Sequence, residues 1–416
     1  MSFELLGLHP ALTKQLVELG YKVPTPVQNA AIPAILAGND IMAGAQTGTG
    51  KTAAFALPLL HRLLIKKNTN KDEPPQHISV LVLTPTRELA QQVYASFVKY
   101  SEGSTVQSLV AYGGASINPQ LELLRQGCDV LIATPGRLLE LISKNLIDLS
   151  ELNTLVLDEA DRMLDMGFIV DIKQVLKSLP SSKQTLFFSA TFNEQIFAIS
   201  KTILSKPKII EVDQRNATAS KVEQLVYQVD KNRKSGLLSF LIGSKNWQQV
   251  LIFTRTKIGA DALAKEMTKD GIAIESIHGD KSQGARDRIL ANFKEGKIRA
   301  LVATDVAARG LDIKQLQYVI NHELPYNAED YIHRIGRTGR AGLTGLAISL
   351  VSESESYLLR DIEKLLGEHF VPQWLEGFEP EQTSTQDAKQ KRGVSKKTLR
   401  DQLLGVKKKR NVRRRN

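Results

Sequence analysis

One run constrains the fold of this chain more than any other: Ala45-Gln46-Thr47-Gly48-Thr49-Gly50-Lys51-Thr52. The apolar residues Ile41 to Ala45 before it read as a strand, and Lys51 to Leu64 after it read as a helix. A Gly-x-Gly-Lys-Thr turn between strand and helix offers successive backbone N–H groups to phosphate oxygens. Thr47, Gly48, Thr49 and Gly50 form that cradle, Lys51 can reach the terminal phosphates, and Thr52 can place its hydroxyl on Mg²⁺. Alanine in the first position departs from the commonest spelling, and the turn tolerates it.

A second feature gives the loop its chemistry. Leu155-Val156-Leu157 is a buried-strand pattern that delivers Asp158 and Glu159 to its carboxyl end, where α/β folds bind ligands. Alone, such a pair would serve as a helix cap. Downstream of a phosphate loop it reads as hydrolytic machinery, with Asp158 supporting Mg²⁺ and Glu159 orienting the attacking water or taking its proton. The implied cofactors are a nucleoside triphosphate and Mg²⁺.

At 416 residues, 42% of them hydrophobic, the chain can build two cores of ordinary size. Its single cysteine, Cys128, excludes an intrachain disulfide framework and a multi-cysteine zinc site. No signal-peptide pattern or membrane-length apolar run appears, so a cytoplasmic setting is expected. The net charge is +11, and residues 381–416 alone hold thirteen Lys or Arg against three Asp or Glu. A segment carrying +10 of that charge reads as an arm for a polyanion, nucleic acid first, with a solubility tail as the alternative.

Apolar strand patterns recur at 78–83, 106–111, 130–133, 155–157 and 185–188, with helical patterns at 88–100 and 171–179. A polar stretch follows, and the alternation resumes with strands at 224–229, 249–253, 273–277, 300–303, 318–321 and 344–350. Helices are read at 257–268, 283–294 and 355–366. This predicts two α/β domains with mainly parallel sheets, at 1–208 and 220–370. A linker covers 209–219 and a flexible extension covers 371–416, basic in 381–416. Only the first domain has a phosphate loop, so one nucleotide gripped at a cleft is the natural reading.

The motif set as a whole resembles that of a DEAD-box RNA helicase, over roughly residues 3 to 370, and is most similar to the short bacterial RhlE-type branch. That resemblance implies two tandem RecA-like domains forming a superfamily 2 helicase core. Phe3 and Gly20-Tyr21-x-x-Pro24-Thr25-Pro26-x-Gln28 match the family's adenine-reading element, placing Tyr21 beside the base and Gln28 on its hydrogen-bonding edge. Pro85-Thr86-Arg87, Gly113-Gly114 and Thr134-Pro135-Gly136-Arg137 match loops that hold the backbone of one RNA strand. Arg255-Thr256, Gly279-Asp280 and Thr304-Asp305 match the other half of that surface, and Gln283-x-x-Arg286 a helix-start element beside it. Ser189-Ala190-Thr191 resembles the element linking hydrolysis to strand separation.

By the same likeness Asp312 contacts the ATP ribose. Arg337 and Arg340, in His333-Arg334-Ile335-Gly336-Arg337-Thr338-Gly339-Arg340, reach across the cleft to the γ-phosphate. The expected function is ATP-dependent, local and non-processive opening of RNA duplexes or remodelling of ribonucleoproteins by a monomeric core. Single-stranded or short duplex RNA is the partner, with ribosomal precursors and RNA-decay complexes as settings. An ATP-gated clamp or annealing chaperone would use the same residues, and a DNA translocase differs only in its strand.

Overall fold

A computed structural model describes residues 2–44, 49–69, 77–192, 194–211, 222–308, 316–339 and 345–380. Thr47, Gly48, Asp312 and Arg340 lie outside the described residues, as do most of the linker and the basic segment 381–416.

In the first domain the strands are β1 (Ile41–Gly44), β2 (Val80–Leu83), β3 (Ser108–Ala111), β4 (Val130–Ala133), β5 (Thr154–Leu157), β6 (Gln184–Ser189) and β7 (Lys208–Glu211). They form one sheet in the order β3-β4-β2-β5-β6-β1-β7, and the recorded pairings are parallel. Helices cover both faces, so β2, β4 and β5 are buried throughout. That burial explains why they read as uninterrupted apolar runs. The second domain repeats the plan with β8 (Val222–Gln228), β9 (Val250–Thr254), β10 (Ile274–Ile277), β11 (Ala300–Thr304), β12 (Tyr318–Asn321) and β13 (Gly345–Val351). Their order is β10-β11-β9-β12-β13-β8, again parallel. A parallel sheet puts every strand's carboxyl end on one side, and the motif loops follow those ends.

Two boundaries differ from the sequence reading. Strand β7 carries domain 1 to Glu211, beyond 208, pairing beside β1 at the sheet edge. Its sequence carries no strand signal, because only Ile210 of its four residues is buried. At the other end, residues 371–380 are not free of domain 2. Gln373 donates its N–H to Val226 O (2.8 Å) and accepts from Gln228 N (2.7 Å), covering the open edge of β8. Arg233 lies over the Phe378 ring at 5.4 Å and donates to the carbonyls of Gly377 and Glu379. Leu375 and Phe378 pack on the domain core. The prolines and glutamates among these residues erase any periodic signal, so the strap looked like tail.

The two ends of the extension therefore differ in their effect on stability. Cutting after Pro380 should leave domain 2 unchanged, whereas cutting after Phe370 uncovers apolar surface worth about 2 kcal/mol, roughly 4–8 °C in Tm for a domain of this size. Thermal melts of the two truncations check this; equal melting temperatures would contradict the strap.

Candidate active site

The nucleotide half of the site is built around the end of β1. Gly50 has φ +91°, and a Cβ there would stand 2.4 Å from Gln28 Nε2, so only glycine fits the turn. Gln28 is buried; its Oε1 accepts from Thr25 N (2.9 Å) and its Nε2 donates to Gly50 O (3.1 Å). The amide assigned to the base thus ties the Tyr21–Gln28 segment to the phosphate loop. Phe3 is part of the core, and Tyr21 meets Tyr100 edge-on at 6.0 Å between centroids, with Lys99 over its ring at 5.5 Å. Lys51 opens the helix Lys51–Thr69, with Thr52 next to it. Its ammonium is buried and has no hydrogen-bond partner. A cation so placed calls for an anion, and the phosphates of a nucleotide supply one.

Asp158 leaves the end of β5 with its N–H donated to Leu83 O (2.9 Å). It is buried, and its Oδ1 has no partner. Burial pushes its carboxyl up to about 6; the Lys51 ammonium opposes that shift and the Glu159 charge adds to it. Glu159 sits at φ 54°, ψ 51°, a left-handed conformation that costs a non-glycine residue energy and recurs at functional turns. The turn starts the helix Ala160–Asp165, from which Arg162 returns to Glu159 in a buried ion pair of 2.7 Å. An orphaned carboxylate oxygen is a hard donor of the type Mg²⁺ takes, and so is the hydroxyl of a threonine such as Thr52. Among the described residues no cluster of three or more His, Cys, Asp or Glu could hold a metal by itself. Such a sparse set suits an ion that is bound chiefly through substrate phosphates and water.

Asp161 extends the site sideways, a role sequence reasoning missed. Its Oδ2 accepts from Ala190 N (2.9 Å) and Thr191 N (3.1 Å), tying the acidic turn to Ser189-Ala190-Thr191 at the end of β6. Asp161, Arg162 and Thr191 then line a cleft with Asn327, Asp330 and His333 of domain 2. The last three flank or belong to the helix Ala328–Ile335, which was not read from sequence. Arg337 follows this helix and is largely buried. Arg334 is an organiser within domain 2, fully buried and bonded to Asp305 (2.6 and 2.7 Å), Asn321 (3.1 Å) and Glu323 O (2.6 Å). It holds Asp305 in place at the end of β11.

The remaining loops lie at strand ends of the two sheets. Thr86 caps the helix Arg87–Tyr100, after Pro85. Arg87 bonds Gly114 O (3.4 Å), and Gly114, at φ +72°, holds a left-handed conformation that favours glycine. Gly113 N donates to Thr134 Oγ1 (3.3 Å), just before Pro135 and Gly136. Arg137 is buried and bonds Gln120 Oε1 (2.8 Å) and Ala115 O (2.7 Å), so it shapes the Gly113-Gly114 loop from within. In domain 2, Thr256 caps the helix Lys257–Lys269, Asp280 pairs with Lys257 beyond Gly279, and Thr304 is buried at the end of β11. Arg255 is held by Glu323 (3.4 Å) and Glu355 (3.3 Å).

Two contacts join these loops across the domains. Arg87 donates to Gln283 Oε1 (3.3 Å), and Glu88 pairs with Arg286 at 2.7 Å, both ends being buried. Removing one partner of a buried pair is costly because the other charge is stranded, roughly 3–5 kcal/mol where burial persists. Glu88→Gln should therefore raise the RNA concentration needed for half-maximal ATP turnover by tenfold or more, roughly 1.4 kcal/mol per decade. Glu88→Arg combined with Arg286→Glu should recover part of the loss. Titrations of all three proteins check it; no change in Glu88→Gln would exclude a closing contact.

Comparison with known proteins identifies the family. Residues 25–199 match the DEAD/DEAH box helicase family, and residues 230–342 match the helicase conserved C-terminal domain. The ATP-dependent RNA helicase CshA of Listeria monocytogenes is 40% identical over 380 residues, covering 90% of this chain and 72% of that protein. The structure of S. cerevisiae Dbp5 bound to RNA and ADP BeF3 is 31% identical and covers 96% of this chain and 99% of that one, with a TM-score of 0.79. A variant of the same yeast protein bound to Nup159, Gle1, IP6 and ADP, 30% identical and covering 95% of this chain and 100% of that one, gives 0.59. The chain belongs to the DEAD/DEAH-box helicases and is a bacterial-type ATP-hydrolysing RNA helicase, coupling ATP hydrolysis to RNA engagement.

Proposed function

We propose that this helicase opens short RNA duplexes locally, by closing its two domains on ATP and on one RNA strand in the same movement. The observation that carries this reading is the pair of cross-domain contacts, Glu88 to Arg286 and Arg87 to Gln283, between loops assigned to RNA. The same seam holds Asp161, Thr191 and His333 beside the nucleotide half-site. One closure thus completes both surfaces.

In the closed state Lys51 binds the terminal phosphates and Glu159 orients the attacking water and receives its proton. Asp158 and Thr52 would hold Mg²⁺, which neutralises phosphate charge when bound. Arg337, with Arg340, supplies positive charge where it is needed as the γ-phosphate departs. Gln28, through its bond to Gly50, passes the state of the adenine site to the phosphate loop, and Asp312 meets the ribose. The strand-end loops grip RNA by its backbone, which gives affinity without sequence choice.

Deleting 381–416 should weaken RNA binding most at low salt and flatten its salt dependence, since fewer counterions are released. Turnover at saturating RNA should change little; identical salt slopes would remove the tail from RNA binding. The finer placement in the RhlE-type branch rests on the motif resemblance, and a monomeric core acting in the cytoplasm on ribosomal precursors or decaying messengers fits recognition without sequence choice. Strand release and ATP turnover with matched RNA and DNA duplexes test the proposal. ATP-dependent release confined to RNA supports it; ATP turnover without release would favour the clamp.

A further inference from the structure

Tyr326 stands outside the ATP machinery and outside the loops assigned to RNA, yet it is 73% exposed at the same rim. It follows β12, whose neighbour β9 ends at Thr254, just before Arg255 and Thr256. The Arg255 guanidinium lies 4.7 Å from the centroid of the Tyr326 ring. That guanidinium is fixed from behind: its Nη2 contacts Glu323 and Glu355, and its backbone N–H donates to Glu323 Oε2 at 2.8 Å. Glu355 is in turn held by the buried Lys234, which also donates to His322 O (2.9 Å) and Leu350 O (2.6 Å).

Two cations and two carboxylates therefore cancel, and Arg255, its side chain only 17% exposed, is poorly placed to act as an open phosphate anchor. What the cluster does present is a tyrosine ring with one face laid on a rigid guanidinium. A planar cation locked by two carboxylates is a stiff support, and the ring it carries loses little freedom on binding a second planar group. Through β9 this rim continues to Thr304 at the end of β11, since Thr254 and Thr304 are register partners.

We propose that Tyr326 is a stacking platform for one base of the bound RNA strand, with Arg255 as its buttress. This rests on the RNA reading given above. Every base has a π-face, so such a contact adds affinity and leaves sequence preference broad.

The test measures binding of single-stranded RNA in the presence of a non-hydrolysable ATP analogue. Tyr326→Ala should weaken it roughly tenfold, while Tyr326→Phe and Tyr326→Trp, which keep a ring, should bind within about twofold of the parent. The salt slope should not move, because no phosphate contact is lost. RNA-free ATP turnover should be unchanged in all three. A series of oligonucleotides each lacking one base should then show a single position whose removal abolishes the difference between parent and Tyr326→Ala. Equal binding by Tyr326→Ala, an equal loss with Phe, a changed salt slope or a difference that persists at every abasic position would each overturn the platform while leaving RNA binding intact. Failure of the parent protein to bind RNA with the analogue would instead overturn the underlying RNA reading.

Discussion

Glu159→Gln should bind ATP about as well as the parent protein and hydrolyse it roughly 100- to 10,000-fold more slowly, the range lost when a positioned general base is removed. The amide keeps the size and hydrogen-bonding reach of the carboxylate but cannot take a proton. Glu159 is held where a base is useful, on a left-handed turn at the end of β5 and beside the unpartnered oxygen of Asp158. The substitution leaves Arg162 without its buried counter-charge, so a melting curve should accompany the assay. Lys51→Ala should behave in the opposite way, losing nucleotide affinity first, because its buried ammonium is placed for phosphate. Nucleotide titrations beside turnover measurements decide both; unchanged turnover in Glu159→Gln would remove it from the chemistry.

Arg337→Ala should lower RNA-stimulated ATP turnover by about 1,000-fold or more, the scale seen when a transition-state arginine is supplied or withheld. ATP binding in the absence of RNA should hardly change, since Lys51 belongs to domain 1 and Arg337 to domain 2. Arg337→Lys should recover only part of the loss, because a point charge does not reproduce the planar fork of guanidinium. Comparing binding without RNA and turnover with RNA checks this. Equal losses in the two would assign Arg337 a structural role within domain 2.

The architecture was readable in the sequence because both sheets are parallel and covered on both faces, so their strands stand out as apolar runs. Strand β7 and the strap at 371–380 were not, since each is mostly exposed and its apolar residues are interrupted by charged residues, prolines or glycine. In the ATP half-site the geometry of a phosphate loop demands particular residues at particular positions, and Gly50, at φ +91°, is one that the described residues bear out. Arginine roles were not readable. Arg87, Arg137, Arg255, Arg334 and Arg337 all occur in the sequence motifs, yet Arg137 and Arg334 are buried within single domains and Arg255 is neutralised from behind. Residue type gives charge; only tertiary packing decides whether that charge is already satisfied. Glu88 and Arg286 show the converse: each stands at its own helix start, and nothing in the sequence says that they pair across the two domains.

The distance between the two domains in solution tests the central claim most directly. Val98→Cys and Leu365→Cys place exposed thiols on outer helices of domains 1 and 2. The native Cys128 is buried, and burial pushes its thiol up to about 12, so it should escape labelling. Energy transfer between dyes at these two sites, in the Glu159→Gln background, should report closure only when ATP and RNA are present together, with ATP alone or RNA alone leaving the open distance. The same distance under all four conditions, or full closure with ATP alone, would contradict joint assembly of the two sites.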